Sequence, residues 1–124
     1  MRRALLVCLF VVMAGIAPVS GADRFVSVIE DLPLMDGLIE NENAAVTFET
    51  AGGRIAEAEA RGNVDPGAAG RFYADVLPQL GWESRTQTPA LGLYLRERER
   101  LKITIEADGD GGAVVSFSVS PLVR

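Results

Sequence analysis

Histidine is absent from all 124 residues, cysteine occurs only at Cys8, and lysine only at Lys102. Each shortage removes a chemistry. Without histidine the chain lacks the commonest general base and the commonest transition-metal ligand. Beyond Cys8 it has neither a thiolate nucleophile nor the means to form a disulfide. Serine chemistry would need lysine or a carboxylate as its base; Lys102 stands on a strand position predicted to face water, and no Ser-x-x-Lys spacing occurs. Carboxylate pairs do exist, at Glu57/Glu59 and Glu97/Glu99. Each pair is two residues apart on a predicted strand, so both acids point the same way beside arginines, which is a poor way to separate an acid from a base. No enzymatic activity, no cofactor and no metal site is therefore expected.

Only one long apolar run is present. Arg2 and Arg3 precede an uncharged stretch from Ala4 to Ile16, Pro18 breaks any helix, and Ser20-Gly21-Ala22 supplies the small residues a signal peptidase needs. The pattern predicts a secretory signal peptide over residues 1–22, cleaved before Asp23. As an uncleaved anchor the run would reach only about 20 Å against a hydrocarbon core of about 30 Å. The expected destination is the periplasm, with the exterior as the alternative, and no stable membrane span is expected after cleavage.

Removing those 22 residues leaves residues 23–124, a single domain's worth of chain. It also takes away two of the 12 cations and none of the 17 acids, so the mature charge is 10 minus 17, or −7. An acidic chain without a basic face is a poor nucleic-acid ligand, and no nucleic-acid partner is expected.

Within the domain, residues 23–43 read as an irregular segment. Phe25, Val26, Val28 and Ile29 suit a short strand; Leu32, Leu34, Met35 and Leu38, punctuated by Pro33 and Gly37, are expected to lie across an edge or end of the sheet. Val46–Glu49 alternates apolar and polar residues before Ala51-Gly52-Gly53, as a strand entering a hairpin does. Arg54–Arg61 is helix-like in composition, yet Ala56, Ala58 and Ala60 alternate with Glu57 and Glu59, which favours a strand whose small face admits a close helix.

Asp65-Pro66 predicts a helix start, with an N-cap acceptor followed by proline at the first position. Phe72, Val76 and Leu80 recur every four residues as the expected buried stripe, flanked by Tyr73 and Leu77. Pro78 and Gly81 end that helix. Thereafter the period drops to two: Trp82–Gln87, Leu91/Leu93/Leu95, Leu101/Ile103/Ile105 and Val115/Phe117/Val119 predict four strands in an antiparallel meander. The fold class is α+β, a single helix packed on a mainly antiparallel sheet, in the order β-β-α-β-β-β-β.

Two surface features invite a functional reading. Asp108-Gly-Asp-Gly-Gly resembles the start of a calcium loop, but positions 5, 6 and 12 would be Gly112, Ala113 and Val119, so it reads as a hairpin turn. If Leu91, Leu93 and Leu95 face the core, Tyr94, Arg96 and Arg98 share the opposite face with Lys102 across the hairpin, a candidate binding face for an acidic partner or headgroup.

The stretches Leu32-Pro-Leu-Met-Asp-Gly-Leu, Gly53-Arg-Ile-Ala-Glu-Ala, Phe72-Tyr-x-x-x-Leu-Pro-x-Leu-Gly-Trp and Ser120-Pro121 together resemble small exported bacterial proteins with an FYxxxLPxLGW-type helix and a GRIxEA-type strand. The resemblance implies a helix on a sheet in the cell envelope and brings no catalytic residues. The expected role is a non-enzymatic exported module that binds an envelope protein or a small ligand, or serves an accessory function. The alternatives are a small-ligand carrier with a cavity between helix and sheet and, after it, a carboxylate-based enzyme.

Overall fold

The computed structural model describes residues 24–122; the expected signal peptide lies outside the described residues. One helix packs on a mainly antiparallel seven-stranded sheet, with a separate two-stranded hairpin beside it. In chain order the elements are β1 (Phe25–Val26), β2 (Ile29–Pro33), β3 (Leu38–Glu40), a 3-10 turn (Glu42–Ala44), β4 (Val46–Thr50), β5 (Gly53–Gly62), α1 (Pro66–Gln79), β6 (Glu83–Gln87), β7 (Leu91–Arg96), β8 (Glu99–Ala107) and β9 (Ala113–Pro121).

The expected order from Val46 onward is present, and Arg54–Arg61 lies within strand β5. Across the sheet the strands run β3-β5-β9-β8-β7-β6. β5 is long enough to pair with two short strands along one edge, β4 at its start (Phe48 opposite Ile55) and β3 at its end (Leu38 opposite Gly62). α1 then carries the chain across one face to the far edge, and β6 to β9 return as a meander of successive antiparallel pairs.

Residues 24–43 are more ordered than their sequence suggests. β1 and β2 form a hairpin closed by the Leu34 N–H donating to the Arg24 carbonyl at 2.8 Å, and β3 joins the sheet. Of the residues expected to lie across an edge or end of the sheet, Leu38 belongs to the edge strand β3, Leu32, Leu34 and Leu38 are buried, with Val26 and Ile29 also in the core, and Met35 is half-buried. Those side chains share one core with Ala56, Ala58 and Ala60. The helix itself lies mainly over β6, β8 and β9.

Both ends of α1 follow local chemistry. The Asp65 carboxylate accepts from the Ala68 N–H at 3.0 Å, and Pro66 occupies the first turn, where its missing N–H costs nothing. At the other end Gly81 has φ +88, its N–H donates to the Pro78 carbonyl at 3.1 Å, and the Trp82 N–H reaches back to Leu77 at 3.1 Å. That pair of bonds is a Schellman motif, which requires the left-handed residue and buries the next side chain against the helix. Pro78 is accommodated in the last turn.

The buried stripe differs by one residue from the expected one. Ala69, Tyr73 and Leu77 face the sheet, whereas Phe72, Val76 and Leu80 flank them half-buried. The rotation buries the small Ala69 and stands the Tyr73 ring edge-on to Phe117, centroids 5.3 Å apart. It also gives the Tyr73 hydroxyl two partners: it donates to the Pro33 carbonyl at 3.0 Å and accepts from the Met35 N–H at 3.3 Å.

Candidate functional site

The four residues expected to form a binding face do not share one. β7 pairs with β8 so that Tyr94 stands opposite Leu101 and Leu93 opposite Lys102. Leu101 and Ile103 are buried, hence Tyr94 points into the core and is 2% exposed, while Leu91, Leu93 and Leu95 lie half-buried on the outer face. Because side chains alternate along a strand, placing the leucines outward turns every β7 side chain over together. The outward leucines are opposed by Lys102 and Arg100, long side chains of the kind whose apolar stems cover such surface. Lys102 is thus on the other face of the sheet from Tyr94, beside a shallow polar depression of about 400 Å³ that Glu57, Glu59, Ser116 and Ser118 also line. Arg98 is exposed in the turn between β7 and β8.

Arg96 has a structural role instead. Its guanidinium lies over the Trp82 ring, 4.2 Å from the centroid, and donates to the Leu80 carbonyl at 3.1 Å. It also forms a charged pair with Asp31, in which Nη1 donates to Oδ2 and Nη2 stands 3.4 Å from Oδ1. Arg54 and Glu99 pair nearby at 2.9 Å. One arginine thereby connects the hairpin, the end of α1 and β7.

The hydrogen bond from Arg96 holds the Asp31 carboxyl below the usual carboxylate range, against the upward push of burial. A depressed value in the fold means that the pair's contribution is fully present above the unfolded carboxylate pKa and fades as pH falls through the lowered folded value. Asp31 is nearly half exposed, which screens the pair. Asp31→Asn is expected to lower stability by about 1 kcal/mol or less at pH 7 and to approach the parent as pH falls below the usual carboxylate range. Urea midpoints measured across that range check this, and an Asn variant displaced equally at both ends would exclude the linkage.

Asp108 likewise serves its own loop, accepting from the Asp110 N–H at 2.7 Å and the Gly112 N–H at 2.9 Å; these donors hold its carboxyl low. Among the described residues no group of three or more acidic, cysteine or histidine side chains could hold a metal ion.

The concave site lies at the other end of α1. Between the first half of the helix and the β6–β7 end of the sheet is a cleft of about 460 Å³. Gly67, Gly70 and Ala74 form its helix wall, Gln87, Thr88, Pro89 and Leu91 its opposite lip, and Gly92, Tyr94, Ile103 and Ile105 its floor. Two backbone features keep it open. Gly92 leaves room for the Tyr94 ring, which would stand 2.6 Å from a Cβ at that position. Gly70 faces Pro89 and Ile105 across a gap that one methyl group would fill at 3.6 and 3.7 Å, ordinary contact distances.

The Tyr94 hydroxyl makes no hydrogen bond to any described residue, and burial pushes its pKa up, so it stays protonated. At the mouth Arg71 and Asp75 stand four residues apart on α1, with Arg71 also 4.0 Å from Asp65.

Sequence reasoning identified Tyr94 but gave it to the wrong face, and it passed over the glycines. Their signal was there: a glycine inside a helix or strand weakens it and often marks a close approach. Comparison with known proteins gives no match: no family model, curated protein or solved structure is significantly similar to this chain.

Proposed function

We propose that this chain is an exported, non-enzymatic binding module of the cell envelope whose ligand is a small molecule taken into the cleft between α1 and the sheet. The observation that carries the reading is the cleft itself. Its volume is in the range of small-molecule sites, its lining is mostly apolar, and the Tyr94 hydroxyl stands at its floor while Gln87, Thr88, Arg71 and Asp75 are the polar side chains of its lip and mouth. Hydrogen bonds hold the Asp31 and Asp108 carboxyls ionised and neither lines the cleft, while the acid that does, Asp75, stands exposed at its mouth, which favours binding over acid-base chemistry. Export rests on the N-terminal sequence pattern.

A carrier of this kind replaces the adaptor face suggested by the Tyr94, Arg96, Arg98 and Lys102 spacing, because those side chains point in different directions. The test is a chemically mixed fragment panel, with neutral, anionic and cationic members, screened against the 15N-labelled mature domain. Perturbed amides should cluster at Gly70, Gly92 and Tyr94. Perturbations confined to the outer face of the sheet, or none from the whole panel, would remove the cleft as the binding site.

A further inference from the structure

Building on the reading of the cleft as a binding site, we infer that its ligand is an uncharged, mainly apolar ring compound bearing a hydroxyl or carbonyl group that the Tyr94 hydroxyl recognises. Four observations converge on that class. The floor offers Ile103, Ile105 and an aromatic ring, with no charged side chain among them. An ionic ligand seated there would leave water without a counter-charge, which is costly in an apolar site. Secondly, the mouth holds Arg71 with Asp75 on the same helix and Asp65 nearby, one cation to two acids, so no positive field draws an anion inward.

Thirdly, Tyr94 is 2% exposed, and its hydroxyl makes no hydrogen bond to a described residue and keeps its remaining access at the cleft it lines. A tyrosine hydroxyl in a core ordinarily finds a partner. The other core tyrosine does so, since Tyr73 both donates and accepts. A neutral phenol can act as donor or acceptor, which suits either a carbonyl or a hydroxyl on the ligand.

Fourthly, the open space is maintained against local propensity. Gly70 is a non-terminal helical residue whose Cβ would meet nothing closer than 3.6 Å, so packing does not demand glycine there. Alanine would suit the helix better, and it would narrow the cleft. Gly92 differs, since its missing side chain is replaced by the Tyr94 ring, which would stand 2.6 Å from a Cβ there.

The experiment titrates 2-naphthol, naphthalene and 2-naphthoate into the mature domain, with amide shifts as the readout. 2-Naphthol should bind at the cleft more tightly than naphthalene, and 2-naphthoate roughly ten-fold more weakly or not at all. Tyr94→Phe should weaken 2-naphthol on the order of five-fold, the value of one neutral hydrogen bond, and leave naphthalene unchanged. Gly70→Leu should abolish binding of both while preserving the dispersed amide spectrum of a folded domain; Gly70→Ala, which narrows the cleft less, should weaken both and raise Tm.

Unchanged 2-naphthol affinity in Tyr94→Phe, preferential binding of 2-naphthoate, or no binding of 2-naphthol up to its solubility overturns the ligand class. If other panel members still perturb the cleft, only the class is lost. If Gly70→Leu binds 2-naphthol as the parent does, the ligand sits elsewhere and the cleft reading falls with it.

Discussion

Trp82→Ala is expected to cost about 3–5 kcal/mol, and Trp82→Phe about 1.5 kcal/mol or less. The contrast follows from where the indole sits. Trp82 is 1% exposed at the corner where α1 turns into β6, following the left-handed Gly81, and its N–H closes the Schellman motif on the Leu77 carbonyl. Alanine retains that backbone bond and empties the largest side-chain volume in the core. It also leaves the Arg96 guanidinium without the ring beneath it.

Phenylalanine keeps most of the ring. It removes the indole Nε1, which is buried and meets no acceptor among the described residues. An unpaired buried donor is itself unfavourable by about 1–3 kcal/mol, so its loss offsets part of the lost volume. Guanidinium unfolding of the three proteins, compared at constant m, checks both values. An alanine variant within about 1 kcal/mol of the parent would mean that the corner tolerates a void. A phenylalanine variant as damaged as the alanine one would mean that the indole N–H has a role the structure does not reveal.

What the sequence conveys and what it withholds divide along the same physical line. Features decided by a few adjacent residues were legible. Asp65-Pro66 opens a helix because capping is local, Gly81 closes it because the left-handed turn is local, and strict alternation made strands of Arg54–Arg61 and of the meander. Features decided by a distant partner were not. Whether Phe72 or Tyr73 faces the sheet depends on a hydroxyl meeting residues 33 and 35 across the fold; the two aromatics stand about 100° apart around the helix and either can lead an i, i+4 apolar stripe. The side on which Leu93 lies depends on register with Lys102; an alternating strand with leucines on one face and a tyrosine and a glycine on the other has two plausible orientations. The same ambiguity concealed the cleft. Gly92 and Tyr94 alternate with leucines and read as the polar face until the pairing with Leu101 and Ile103 turns them inward.

Gly62→Ala is expected to cost about 3 kcal/mol, at the upper end of overpacking changes, for a reason unrelated to glycine's backbone freedom. Gly62 ends β5, and the strand is flanked there on both sides, by Leu38 of β3 and Ala113 of β9. A Cβ at this position would stand 1.8 Å from the Gly37 carbonyl oxygen and 3.0 Å from the Leu38 Cα. Those neighbours are backbone, so no side-chain rotation relieves the clash. The turn that carries Gly37 has little room to retreat: Gly37 has φ +93, Val64 would stand 2.7 Å from a Cβ there, and Leu38 is fully buried. The methyl group must therefore displace β3 and the β5 edge it covers.

Gly109→Ala isolates the other way a glycine can matter. Gly109 has φ +89 in the β8–β9 loop, with nothing within 4 Å of a Cβ, so alanine meets only the left-handed penalty of about 1–2 kcal/mol. In urea titrations Gly62→Ala should show the larger fall in midpoint, and hydrogen exchange should report lost protection at the Asn41 amide, which donates to the Glu59 carbonyl of β5, and at the Leu38 amide, which donates to the Met35 carbonyl in the turn that carries Gly37. Equal losses in the two variants, with protection at Leu38 retained, would show that the β3 turn yields to the methyl group, and the close packing of residue 62 against Gly37 would no longer account for glycine at that position.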